Sequence, residues 1–193
     1  MSGRKMDRLR VLIVDDNHHM INIVKTILRG FGIKEFFEAR DPVDAFDRLR
    51  ATHIDMVITD FAMDPIDGCE FVRLIRTADD SPNRYIPIIM LTAYSERPRV
   101  EAARDAGINE FCAKPVTAME LYRKVVSLVN APRPYVRTSG FFGPDRRRHP
   151  DDDFEGDNRR EGPFESEDDA SDDQKEAAPE AKEAEETPQA AEA

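Results

Sequence analysis

Five short apolar runs recur between Arg10 and Ala113, and a stretch with helical spacing follows each of them. The runs are Arg10–Val14 (RVLIV), Glu35–Glu38 with Phe36 and Phe37 at its centre, Met56–Thr59 (MVIT), Ile86–Leu91 (IPIIML) and Glu110–Ala113 (EFCA). Short runs rich in Val and Ile, apolar on both faces, predict buried parallel strands. In the first intervening stretch Met20, Ile21, Val24, Ile27 and Leu28 share one helical face, and Gly30 and Gly32 supply a stop. Pro42 opens a second helix carrying Val43, Phe46 and Leu49, and Phe71, Leu74 and Ile75 mark a third. Pro98 opens a fourth that stops at Gly107, and Thr117 with Glu120 forms a capping-box pattern for a fifth. Strand and helix in alternation predict an α/β fold, a doubly wound parallel sheet with right-handed crossovers.

The pattern breaks after Ala131. Residues 131–160 form a Pro-, Arg- and aromatic-rich linker containing SGFFGPDRRR, and residues 161–193 hold 13 acids against two lysines and one aromatic, Phe164. Such composition buries too little apolar surface to offset chain entropy, so residues 131–193 are expected to be disordered. The domain organisation read from the sequence is therefore an N-terminal extension (1–8), one globular domain (9–130) and a tail, with no internal repeat and no helix-turn-helix pattern in the tail.

Charge follows the same boundary. Residues 1–130 hold 19 Lys and Arg against 20 Asp and Glu, whereas residues 131–193 hold 9 against 19, so the net charge of −11 belongs almost wholly to the tail. An acidic chain of this kind is not expected to bind nucleic acid, whose phosphates attract Lys and Arg. The basic start MSGRKMDRLR leads into an apolar run of only four residues, Val11–Val14. That is well below a signal-peptide core or a membrane span, and with two cysteines making no disulfide framework it predicts a soluble cytoplasmic protein. Cys69 and Cys112 read as small buried hydrophobes.

Ligand sites in a parallel sheet lie beyond the carboxyl ends of its strands. The first run ends in Asp15–Asp16, the third in Asp60, the fourth in Thr92 and the fifth in Lys114. Each is unremarkable alone. An Asp pair after a strand commonly caps a helix, and a lone Lys commonly snorkels at the surface. Together they place three carboxylates, a hydroxyl and an ammonium on one edge. Three crowded carboxylates suit a hard divalent ion such as magnesium, beside which Asp60 would act as a nucleophile toward a phosphoryl group. Lys114 would neutralise charge on the transferring oxygens and Thr92 would donate a hydrogen bond.

These residues resemble the receiver domains of two-component response regulators, of the stand-alone, chemotaxis-regulator type. VLIVDDN (11–17), VITDFAMDPIDG (57–68), IIMLTAY (88–94) and FCAKP (111–115) carry the likeness in order, over about residues 9–130. The resemblance implies a flavodoxin-like strand order 2-1-3-4-5. It implies magnesium held by Asp16, by Asp15 partly through water, by Asp60 and by the carbonyl of Ala62. It further implies phosphorylation at Asp60, with Thr92, the amide of Ala93 and Lys114 holding the phosphoryl oxygens. Thr92 and Phe111 would be the switch residues, and the Lys114–Pro115 bond would be cis. The implied partners are a histidine kinase or histidine phosphotransfer protein and a downstream protein target, with phosphorylation-dependent dimerisation left open. The chain would catalyse its own phosphorylation and dephosphorylation and would not be a dedicated metabolic enzyme.

Two departures stand out. Met63–Asp64–Pro65 displaces by one position the proline that usually follows Met in this loop, without changing its length to Gly68. Ala62 and Tyr94, two residues after Asp60 and Thr92, predict slow loss of phosphate, because Ala62 cannot orient water and Tyr94 would cover the site. His18 and His19 sit beside the acidic pair, but consecutive helical residues diverge, so a shared metal role is disfavoured. Phe141–Arg148 is a plausible docking segment. Among other functions, an aspartyl phosphohydrolase would need Asp-x-Asp after the first strand, where the chain has Asp15–Asp16–Asn17. A phosphorylation-independent interaction module is weakened by five competent site residues, and nucleotide binding by the lack of a Gly-rich phosphate loop.

Overall fold

In a computed structural model, which describes residues 6–93, 97–138 and 140–145 (for Arg97 the backbone alone), the five apolar runs form one parallel sheet. Its strands are β1 (Arg10–Val14), β2 (Glu35–Ala39), β3 (Met56–Asp60), β4 (Ile88–Thr92) and β5 (Glu110–Ala113). They are arranged in the order β2-β1-β3-β4-β5, as the resemblance to receiver domains implies. Between and after them run α1 (His18–Gly30), α2 (Pro42–Ala51), α3 (Gly68–Thr77), α4 (Arg97–Ala106) and α5 (Ala118–Asn130). β4 begins at Ile88, not Ile86, because Pro87 has no N–H to give to the ladder. The Pro87 carbonyl still accepts from Val57 N–H at 2.9 Å.

Alternation along the strands divides the core. Leu12, Val14, Val57, Ile88 and Met90 point to one face and pack with Leu49 of α2, Phe71 and Ile75 of α3 and Ala103 of α4. Val11, Ile13, Ile58, Ile89 and Leu91 point to the other, against Ile21, Val24 and Leu28 of α1 and Leu121 and Val125 of α5. Helix starts are fixed by side chains that satisfy otherwise orphaned amides. Asn17 accepts from His19 N–H at 3.0 Å, Asp41 from Asp44 N–H at 2.8 Å and Thr117 from Glu120 N–H at 3.2 Å. Asp67 and Glu70 make a reciprocal capping box on α3. Cys69 and Cys112 are buried, as expected, and burial pushes their thiols up to about 11 and about 12.

The chain after Ala131 does not stay irregular at once, which corrects the expectation of disorder from that point. β6 (Tyr135–Thr138) and β7 (Phe141–Pro144) form an antiparallel hairpin whose second strand packs on α3 and α4. The physical reason is a dense aromatic supply: Tyr135, Phe141 and Phe142 within eight residues give this segment apolar area that the acidic terminus lacks. Backbone proximity does the rest. A Cβ on Gly143 would lie 2.9 Å from the Cα of Gly107, and one on Gly107 2.8 Å from the carbonyl oxygen of Phe142. Gly107 also has φ +99° where α4 ends, so glycine is required there twice over. The N-terminal residues 1–5, Tyr94, the Arg146–Arg148 run and the acidic segment 161–193 lie outside the described residues.

Candidate functional site

The parallel register brings the carboxyl ends of β1, β3, β4 and β5 side by side. Main-chain bonds hold those ends together beyond the strands themselves. Phe61 N–H donates to the Leu91 carbonyl at 2.8 Å, and Lys114 N–H to the Thr92 carbonyl at 2.7 Å. The Lys114–Pro115 peptide is cis, as anticipated, and so is Asp64–Pro65, which the sequence did not suggest.

On this edge the sequence-predicted residues meet. Asp15 is 1 % exposed; its Oδ1 accepts from Asn17 N–H at 2.9 Å and its Oδ2 from Lys114 Nζ at 3.2 Å. Asp60 is 6 % exposed; its Oδ1 accepts from Phe61 N–H at 2.8 Å and pairs with Lys114 Nζ at 2.8 Å. Asp16 is exposed at the rim, and one carboxylate oxygen from each of Asp15, Asp16 and Asp60 lies within 4.8 Å of the others. Thr92 is buried at the end of β4, whereas Ala93 beyond it and Ala62 in the loop after Asp60 are exposed. Phe111 is half-buried against the α2/α3/α4 side of the core, with Lys124 Nζ 5.4 Å from its ring centre.

The electrostatics of the cluster are unbalanced in one direction. Burial raises the Asp15 carboxyl above its ordinary range, with Asn17 N–H and Lys114 pulling it back and Asp60 adding to the rise. For Lys114, burial pulls the ammonium down, but bonding to Asp60 and Asp15 more than offsets this and its pKa ends up raised. One well-protonated cation thus serves two carboxylates with a third alongside. A donor set made only of oxygen, with more negative charge than its own cation neutralises, fits a hard divalent ion such as magnesium. His18 and His19 are exposed and are not part of the cluster formed by Asp15, Asp16 and Asp60.

Two neighbours of the cluster escaped the sequence reading. Arg40 Nη2 approaches the carbonyl oxygen of Asp16 at 3.4 Å, and the Arg99 guanidinium lies 5.6 Å from the ring centre of Phe61. The signal for Arg40 was available, since it directly follows β2, the one strand whose end was not read for chemistry. Arg99 has no such signal, because its place depends on how α4 packs.

Gly68, the first residue of α3, ties the fold to the site. A Cβ there would strike the carbonyl oxygen of Asp60 and sit 3.1 Å from its carbonyl carbon and from Phe61 Cα. Gly68 N–H also donates to the Phe61 carbonyl at 2.9 Å. Backbone cannot yield as a flexible side chain can, so Gly68→Ala is expected to destabilise the domain by about 1–3 kcal/mol through overpacking. A shift in the urea midpoint, with the slope unchanged, checks it.

Residues 11–126 match the response regulator receiver domain family. The chain is 33% identical over 117 residues to chemotaxis protein CheY of Pseudomonas aeruginosa, covering 61% of this chain and 93% of that protein. It is 35% identical over 117 residues to chemotaxis protein CheY-3 of Vibrio cholerae, covering 61% and 88%. Among solved structures it resembles a response regulator from Chloroflexus aurantiacus, with 27% identity, a TM-score of 0.58 and coverage of 63% of this chain and 98% of that one. It also resembles the receiver domain of a sensor histidine kinase from Pseudomonas aeruginosa PAO1, solved with magnesium coordinated in its active-site cleft. There the identity is 27%, the TM-score 0.57 and the coverage 64% and 98%.

Proposed function

The chain belongs to the response regulator receiver domain family, and from that premise we propose that it accepts a phosphoryl group on Asp60 from a histidine kinase or histidine phosphotransfer protein. The observation that carries this reading is the placement of Lys114 Nζ, 2.8 Å from Asp60 and 3.2 Å from Asp15, within a cluster of three carboxylates. In the proposed step an Asp60 carboxylate oxygen forms the new bond to phosphorus. The bond from phosphorus to the donor breaks, and its electron pair leaves with the donor.

Asp15, Asp16, Asp60 and the Ala62 carbonyl would hold magnesium, which supplies charge neutralisation at the phosphoryl oxygens when bound. Lys114 would follow the charge: paired with Asp60 before transfer, it would contact a phosphoryl oxygen afterwards. The Thr92 hydroxyl and the Ala93 N–H would donate to the other oxygens. Thr92 and Phe111 would carry the change toward α4 and α5, and the signal would pass by protein–protein contact in a cytoplasmic setting.

The test is intact mass after incubation with acetyl phosphate and magnesium. A single added phosphoryl mass that does not form when magnesium is chelated beforehand supports the reading. An unchanged mass would overturn it. The loss of that phosphoryl group is expected to be slow, with a half-life of minutes or longer. The Ala62 side chain has no polar atom with which to orient an attacking water. Following the added mass over time after gel filtration measures the half-life, and a value of seconds contradicts the expectation.

A further inference from the structure

The β6–β7 hairpin grips the starting ends of the two strands whose far ends carry Thr92 and Lys114. The Tyr135 hydroxyl donates to the Tyr85 carbonyl at 2.9 Å and accepts from Asn109 Nδ2 at 3.1 Å. Asn109, immediately before β5, accepts at Oδ1 from Ile88 N–H of β4 at 2.9 Å and from Arg76 Nη2 at 3.1 Å. Arg133, just ahead of the hairpin, donates to the main-chain carbonyl of Asn109 and, at 3.2 Å, to that of Asp145, and pairs with Glu110 at 3.6 Å.

Apolar contacts reinforce this polar grip. The rings of Tyr85, Tyr135 and Phe142 have centres 5.2 to 5.8 Å apart, and the Arg76 guanidinium lies 5.3 Å from the centre of Tyr135. The seat also includes Gly107, where α4 ends, and α4 is the helix that follows the loop leaving Thr92. A cavity of about 330 Å³ makes the adjacency concrete. Val100 and Arg104 of α4, Phe111 of β5, and Arg133 and Pro144 line it together.

We propose that this hairpin is a strap whose docking is coupled to Asp60: phosphorylation loosens it, and loosening it favours phosphorylation. The proposal rests on the phosphoacceptor reading above. β4 and β5 are five and four residues long; Tyr85, Asn109 and Glu110, which the strap contacts, lie at or shortly before their starts, and Thr92 and Lys114 at or just after their ends. A displacement of Thr92 or Phe111 therefore reaches the strap through short, rigid, hydrogen-bonded elements. The strap is docked in the arrangement in which Lys114 pairs directly with Asp60 at 2.8 Å, so its contacts stabilise that arrangement. Any ligand state that favours a different one must weaken docking by the same free energy that docking opposes it.

Hydrogen exchange on the full chain tests this, with and without acetyl phosphate and magnesium, with the phosphorylated fraction read by intact mass in the same samples. The amides of 135–138 and 141–145 (Pro144 aside) are expected to exchange at least about fivefold faster in the loaded protein. In the reciprocal arm, Tyr135→Phe removes only the hydroxyl that bridges Tyr85 and Asn109, and it is expected to raise the steady-state loaded fraction. Loading without any change in exchange overturns the coupling and leaves the phosphoacceptor reading standing. Absence of loading removes both. If Tyr135→Phe lowers the melting temperature yet leaves the loaded fraction unchanged, the hairpin is structural only and the coupling is likewise overturned.

Discussion

Asp60→Asn is expected to abolish phosphoryl loading while leaving the domain folded and, without magnesium, at least as stable as before. The amide offers no anionic oxygen to attack phosphorus. It does keep an acceptor for Phe61 N–H, which bonds Asp60 Oδ1 at 2.8 Å, so the backbone at the end of β3 has no reason to move. Electrostatics favour the variant in the empty site. Substitution removes repulsion with Asp15 and Asp16 and only one of the two carboxylates that Lys114 contacts. Magnesium is expected to reverse the comparison, because a ligand that binds only the folded state stabilises it more the tighter it binds, and in the proposed metal site the variant offers one fewer charged ligand. Thermal unfolding with and without magnesium is therefore expected to show a larger gain for the parent protein. An equal gain in both would mean that Asp60 contributes nothing to the metal site.

Arg76→Leu is expected to cost about 3 kcal/mol, a drop of about 6–12 °C in melting temperature for a domain of this size. Arg76 is 1 % exposed, and its guanidinium bonds three neutral acceptors: Gly107 O at 3.0 Å, Arg84 O at 2.7 Å and Asn109 Oδ1 at 3.1 Å. Burial pushes the guanidinium down to about 10, with Tyr135 opposing the fall, so the group stays charged near neutrality at a desolvation cost that these bonds must offset. Leucine recovers that cost. It also strands the Gly107 and Arg84 carbonyls and removes the cation from the Tyr135 ring, which is why the net effect is destabilising. Because the β6–β7 hairpin shares Asn109 and Tyr135 with Arg76, its amides are expected to lose protection from exchange in the same variant.

The two substitutions also mark what was legible in the sequence. Asp15, Asp16, Asp60, Thr92 and Lys114 could be found because a parallel sheet sends every strand end to the same edge. Reading the residue after each apolar run is then enough to assemble a site spread over 99 positions. Arg76 could not be found that way. On an amphipathic helix an arginine reads as a solvated charge, and the acceptors that bury it lie 8 to 33 residues away on loops. The hairpin was hidden for a related reason. Pro132, Pro134, Gly140, Gly143 and Pro144 look like a linker, and nothing local reveals that Gly143 meets Gly107 or that Tyr135 reaches Asn109. Local pattern identifies elements; docking depends on shapes that only the assembled sheet creates.

The place where the hairpin sits bears on how this receiver can be moved between proteins. The family match ends at residue 126, inside α5, and the last apolar helix position would suggest a cut near residue 131. A chimera built with that junction would carry Arg76, Tyr85 and Asn109 without Tyr135, Arg133 and Phe142 and so present an uncovered aromatic and guanidinium surface to its host. For this chain the transplantable unit includes the hairpin through at least Asp145, and a graft that stops short is expected to be sticky before it is inactive.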